Sequence, residues 1–391
     1  MWAQQQRLYA MFLAVFVLVG LTACAGDGTN DGDLLEKSTV SLTGAGSAGT
    51  TQRIIYQMPA VRGGSTSARA IVLLPSGTPP AGGWPVLAWG HGTTGIGDTC
   101  APSDSADLAG YLPYLNGLVG AGFAVVAPDY EGLGVDGLHP YLSKDSEGRS
   151  LLYAVLAATR GYPELSKRYA LIGHSQGGHA VLGAAALSRE LPELSLVGTV
   201  AIAPASNIRA SGDLLQSVIV DTGRSIQERV QAGVGRLLFS SLILAAIPAT
   251  DPGFDPASAF GGAATSLAGT AATACLTDLS AAVQSLVQPA IVGSGSIDSL
   301  LPPASLNLPA VSNYLAANEP GNRDTGAPVL LLQGSADTTV FPMFTQALNA
   351  TLTGAGNATT YTEFAGATHT SIVAASATDA ATFLATAFAS P

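Results

Sequence analysis

Charge is scarce in this sequence. Its 16 lysines and arginines and 27 aspartates and glutamates amount to 11% of 391 residues, with a formal net charge of −11. That balance gives no basic footprint, so nucleic acid is not expected as a partner. Apolar residues make up 47% of the chain, which argues against disorder and allows a large core, in one large domain with an insertion or in two domains. Long hydrophobic runs are also lacking. Leu8–Leu21 and Leu237–Thr250 are each fourteen residues long, short for a bilayer span. No internal repeat is visible. The histidines and acids show no ligand spacing of the His-Glu-x-x-His kind, so no metal or other cofactor is implied. Three cysteines allow one disulfide at most, and five histidines leave few candidates for a catalytic base.

What is present begins with an export signature. Arg7 supplies a positive n-region and Leu8–Leu21 an h-region of signal-peptide length. The stretch Leu21-Thr22-Ala23-Cys24 resembles the bacterial lipobox. The resemblance implies cleavage after residue 23, lipidation of Cys24 and a membrane anchor at the cell envelope, on the outer membrane or cell surface. Ordinary cleavage near Ala23 or Ala25 and secretion is the alternative. Residues 24–50, rich in Gly, Asp, Ser and Thr, read as a flexible tether. With Cys24 acylated, Cys100 and Cys275 are left either to pair, as exported cysteines commonly do, or to remain as separate buried thiols.

From residue 53 onward, apolar runs alternate with helix-like stretches. Strands are expected at 53–58, 68–74, 85–90, 123–128, 169–173, 196–204, 328–333 and 359–364. Helices are expected at 105–120, 149–159, 177–190, 342–352 and 374–389. Several strands are apolar throughout rather than alternating, as in a parallel sheet covered on both faces, and the repeated strand–helix order makes the fold class α/β. Residues 207–316 break the rhythm with helix-like segments and few strand signals. They are expected to form an inserted cap between core segments 51–206 and 317–391. Within it, Leu237–Thr250 reads as a buried helix whose apolar face could line an acyl-binding tunnel.

Gly173-His174-Ser175-Gln176-Gly177 fits Gly-x-Ser-x-Gly, the sharp strand-to-helix turn that exposes a nucleophilic serine. Glycine is expected two residues either side because side chains there would collide with the serine. The following helix points N–H groups at the site, where they can stabilise an oxyanion. Serine needs a base. His174 is too close in sequence, His179 sits on the helix, and His91 and His139 lie in earlier loops. His369 follows the last strand, where it can swing over Ser175. The orienting acid should fall between them. Asp337, just past the apolar strand at 328–333, fits best, with Asp324 and Glu363 as fallbacks. Trp84–Gly90 runs into His91-Gly92-Thr93, so an amide near Thr93 and the Gln176 amide are the expected oxyanion donors.

Gly92-Thr93-Thr94-Gly95 with Cys100-Ala101-Pro102-Ser103, the block Ala127-Pro128-Asp129-Tyr130-Glu131-Gly132-Leu133-Gly134, the elbow, Asp337 and His369 together resemble the secretory lipases, a family of α/β-hydrolases. The resemblance implies an α/β-hydrolase fold with a mostly parallel sheet, a helical cap after the elbow region and a Cys100–Cys275 disulfide. The chain departs from fungal members in its lipobox-like start and in His174-Ser175-Gln176. The expected function is hydrolysis of acyl esters, triacylglycerol or medium-to-short-chain, by a Ser175–His369–Asp337 triad through an acyl-enzyme. The same triad could serve acyl transfer or peptide cleavage. A non-catalytic envelope-binding protein is the remaining alternative.

Overall fold

The computed structural model describes residues 29–390, so the signal peptide and Cys24 lie outside the described residues. The fold below is that of Asp31 onward. Its strands are β1 (Leu34–Thr39), β2 (Ala48–Pro59), β3 (Ser65–Pro75), β4 (Trp84–Gly90), β5 (Ala124–Pro128), β6 (Leu165–His174), β7 (Ser195–Ile202), β8 (Val329–Gly334) and β9 (Thr359–Phe364). Its helices are α1 (Leu112–Gly120), α2 (Lys144–Gly161), α3 (Gln176–Leu187), α4 (Ile208–Val220), α5 (Ile226–Ala246), α6 (Leu267–Thr273), α7 (Leu276–Ser294), α8 (Pro309–Asn318), α9 (Pro342–Gly354), α10 (Ser371–Ala375) and α11 (Ala377–Ala389).

All the strands join one sheet in the order β1-β2-β3-β5-β4-β6-β7-β8-β9. The pairings from β5 to β9 are parallel, and those of β1, β2 and β3 are antiparallel. The central strands are buried on both faces, which explains their unbroken apolar sequence. Successive side chains still point to opposite faces. Val86 and Ala88 of β4 join the core formed with α2 and α3, while Leu87 and Trp89 join the core formed with α1 and α11. The chain lays β5 to one side of β4 and then crosses to lay β6 on the other. That reversal opens a crevice beyond the carboxyl ends of β4 and β6, the usual place for a ligand in such sheets.

Residues 34–39, assigned by composition to a flexible tether, instead form the edge strand β1, and β2 begins at Ala48. Their register is set by Lys37 opposite Ile54 and Thr39 opposite Gln52. An edge strand exposed along most of its length carries little apolar signal, and charged residues such as Glu36 and Lys37 suit it. The helix expected from residue 105 starts at Leu112, because Leu108 and Ala109 take φ of 53° and 55°. The helix expected from Arg149 starts earlier, at Lys144.

Helices α4 to α8 lie between β7 and β8 and share a separate apolar core built around α5. Helix α5 begins at a capping box: the Glu228 amide donates to Ser225 Oγ at 3.2 Å and the Ser225 amide to Glu228 Oε2 at 2.9 Å. The apolar run at 237–250 is therefore the second half of a longer helix. Ile226–Ala249 is, among the described residues, the one helix long and apolar enough to cross a membrane, but 72% of its most apolar window is buried inside the protein. The Cys100–Cys275 disulfide joins the start of α7 to the segment after β4, and the Leu276 amide donates to the Thr94 carbonyl at 2.8 Å beside it.

Candidate active site

β6 ends at His174 and α3 begins at Gln176, leaving Ser175 alone at the corner with φ 58° and ψ −118°. A non-glycine residue at such angles is strained, and the surrounding hydrogen bonds hold it there: the Ser175 amide donates to the Ile202 carbonyl at 2.9 Å, and the Ser175 carbonyl accepts from the Ala205 amide at 3.1 Å. Both elbow glycines are required, and the nearest obstacle to a side chain at either is not the serine. A Cβ on Gly177 would lie 1.9 Å from the Gly90 carbonyl oxygen, and one on Gly173 would lie 2.3 Å from the Gly177 oxygen. The obstacle is the end of β4, whose Gly90 pairs with Gly173, together with the backbone of the other glycine.

His369, in the loop after β9, reaches this corner. Ser175 Oγ lies 2.9 Å from His369 Nε2, and His369 Nδ1 lies 2.7 Å from Asp337 Oδ2. With Nδ1–H donating to the carboxylate, Nε2 is left to accept the serine hydroxyl proton. Asp337 follows β8 and is buried. Its Oδ1 accepts from the Thr339 and Val340 amides at 2.8 and 2.9 Å, and its Oδ2 also accepts from Gln333 Nε2 at 3.2 Å. The fallback acids are elsewhere. Asp324 pairs with Arg189 in an exposed bridge at 2.5 Å, and Glu363 accepts from Gln346 and Tyr361 on the surface.

The loop after β4 is fixed against the same corner. The Tyr130 hydroxyl donates to the His91 carbonyl at 3.0 Å, and Thr93 Oγ1 lies 2.9 Å from the Tyr141 hydroxyl. Among the described residues, the backbone amides of Thr93 and Gln176 donate to no protein group, so both are free for a ligand.

Comparisons with known proteins bear on the family and the fold. The sequence profile of the secretory lipases matches residues 111–391. The chain belongs to the secretory lipase family. Membership makes it a hydrolase of the lipase and esterase kind. The match starts after Gly92–Ser103, so the β4 loop is not part of it. No match is found among curated proteins. Among solved structures, the rice cell wall degrading esterase LipA from Xanthomonas oryzae superposes with a TM-score of 0.70 at 21% identity, over 93% of this chain and 98% of that one. Lipase A of Candida antarctica, in its closed state, gives 0.66 at 15% identity, over 87% and 78%. The fold shared with them is the α/β-hydrolase fold.

Two side chains of this secretory lipase that sequence reading left without a task now have partners. His174 faces the His369 carbonyl through Nε2 at 2.8 Å and the Tyr111 hydroxyl through Nδ1 at 2.8 Å. A carbonyl can only accept, so Nε2 carries the proton and Nδ1 accepts from Tyr111. The ring lies 4.7 Å from that of His369. Burial, and then the neighbouring His369, push its pKa down to about 3, so it is neutral at ordinary pH.

Gln176 is held from behind. Its Nε2 donates to Glu147 Oε1 at 2.7 Å and lies 2.9 Å from His139 Nε2, which accepts because His139 Nδ1–H donates to the Glu131 carbonyl at 2.9 Å. Glu147 also accepts from His179 Nδ1 at 2.9 Å, while His179 Nε2 donates to the Asn318 carbonyl at 2.9 Å at the end of α8. With both ring nitrogens donating, His179 is an imidazolium. Burial alone would lower its pKa, but the hydrogen bond and charge of Glu147 prevail and raise it. No sequence signal marks Glu147, because its partners arrive from other segments.

Two cavities open on Ser175. One, of about 450 Å³, runs beneath the helical insertion past Ile208, Leu238, Ile243 and Phe341. The other, of about 1240 Å³, runs between α1 and α11 past Tyr111, Tyr114, His369 and Ala381. Phe239 and Thr339 border both.

Proposed function

We propose that this protein is a serine carboxylic-ester hydrolase in which Ser175, His369 and Asp337 carry the reaction. The observation that supports this most is the unbroken line from the Asp337 carboxylate through His369 to Ser175 Oγ, at 2.7 and 2.9 Å. Ser175 attacks the ester carbonyl while His369 Nε2 takes its proton. Asp337 keeps the ring in the tautomer that presents Nε2 to the serine and stabilises the imidazolium that forms. The Thr93 and Gln176 amides receive the oxyanion, assisted by the N-terminus of α3. His369 then passes the proton to the leaving alcohol, and water removes the acyl group by the same route in reverse. The apolar cavity beneath the insertion suits the acyl chain of a lipid or a medium-to-short-chain ester.

The test is Ser175→Ala assayed on p-nitrophenyl butyrate. Activity should fall by about 10⁴-fold or more while far-ultraviolet circular dichroism is unchanged. A variant that kept the parent rate would overturn the assignment.

A further inference from the structure

The reaction itself sorts the two cavities. In the acylation step the bond between the acyl carbon and the alcohol oxygen breaks, the bond from Ser175 Oγ to the acyl carbon forms, and the proton that left Ser175 reaches the alcohol oxygen through His369 Nε2. The leaving oxygen must therefore lie on the His369 side of Ser175. His369 lines the larger cavity and not the smaller. The smaller cavity is then left for the acyl chain.

The walls of the larger cavity specify what fits. Among the described residues, no aspartate, glutamate, lysine or arginine lines it. Its titratable neighbours are tyrosines and the two histidines His174 and His369. Ala377, Ala381 and Ala385 repeat at every fourth position and present one face of α11, where short side chains leave the groove wide. Opposite them stand Tyr114, Leu118 and Phe123.

We propose that the groove between α1 and α11 receives the alcohol side of the ester, and that this alcohol is a bulky, uncharged and mainly apolar group, larger than the acyl group held beneath the insertion. This rests on the ester-hydrolase reading above and adds an asymmetry to it: the enzyme selects a long alcohol more strongly than a long acid. A charged alcohol would lose its water without gaining a partner. An apolar one gains up to about fourfold in kcat/KM for each methylene buried.

A pair of isomeric esters tests this, since dodecyl butanoate and butyl dodecanoate have the same composition with the long chain on opposite sides. In matched mixed micelles, dodecyl butanoate should be hydrolysed with a kcat/KM at least about tenfold higher. Equal rates, or a preference for butyl dodecanoate, would overturn the assignment. Ala381→Trp narrows the groove and should reduce that ratio at least about threefold. Thr382→Phe, at an exposed position on the same wall, serves the same purpose should the first variant not fold. A ratio untouched by a folded groove variant also counts against the proposal. p-Nitrophenyl butyrate separates the two readings. If it is cleaved with dependence on Ser175 while the isomers react equally, only the groove assignment falls. If it is not cleaved at all, the hydrolase reading falls and takes the groove with it.

Discussion

The two histidines flanking Ser175 are both buried, yet their surroundings treat them in opposite ways. His174, on the β6 side, meets a carbonyl, a hydroxyl and the His369 ring, and stays neutral. His179, on the α3 side, meets a carboxylate and a carbonyl, and stays charged. Burial disfavours charge at both sites, so the partner decides the outcome. The arrangement places the fixed charge pair behind α3 and a neutral ring against His369. A cation at His174 would oppose the imidazolium that His369 becomes in the proposed reaction. A neutral group at His179 would leave Glu147 buried without its counter-charge.

Removing Glu147 should have the largest effect on stability. Glu147→Ala strands His179 and frees Gln176, and breaking a buried pair by deleting one partner costs about 3–5 kcal/mol. Glu147→Gln can still bond both neighbours through its amide and should cost markedly less. Urea denaturation of both variants measures the gap. Equal costs would mean that the charge Glu147 sets against His179, and not the hydrogen bonds a glutamine can keep, is what holds the site together.

The contrast also shows what the sequence could and could not disclose. Ser175, Asp337 and His369 each sit just past a strand end, in the chain order of the fold, so spacing alone brought them forward. The central strands β5 and β8 were legible because burial on both faces writes itself as unbroken apolar runs. β1 was not, since an exposed edge strand looks like linker. Glu147, His139 and Tyr111 were not either. They act on residues 29, 37 and 63 positions away in sequence, and no local pattern encodes such a meeting. The elbow glycines were found for an incomplete reason: their obstacle is Gly90 on a neighbouring strand, which only the sheet order reveals.

Of the two flanking histidines, His174 should matter more to rate and to acid stability. His174→Ala releases the His369 main chain, and small misplacement of a catalytic group can cost up to about 10²-fold. A loss of about tenfold in kcat with little change in KM is expected, partly restored in His174→Gln, whose amide can again donate. The pH dependence has a defined sign. The folded-state pKa lies below the unfolded value of 6.5, so the unfolded chain binds the extra proton more readily. The stabilisation is complete above pH 6.5 and is lost as pH falls from there towards about 3. His179, whose pKa is raised, contributes in the opposite sense, with stability present below 6.5 and lost as pH rises through the higher folded value. Thermal melts across pH should therefore flatten on the acid side in His174→Gln and on the alkaline side in His179→Asn. Identical changes in both variants would break the comparison.

The smallest change sharpens it most. Tyr111→Phe removes one hydroxyl, leaves the ring against Trp89 and deletes the donor that holds His174 Nδ1 in place. One neutral hydrogen bond contributes about 1 kcal/mol, so a two- to fivefold fall in kcat is expected. If Tyr111 acts through His174, its effect should vanish in the His174→Ala background, because the hydroxyl then has no ring to orient. Full additivity in the double variant would mean that Tyr111 contributes as a wall of the groove and not through the histidine.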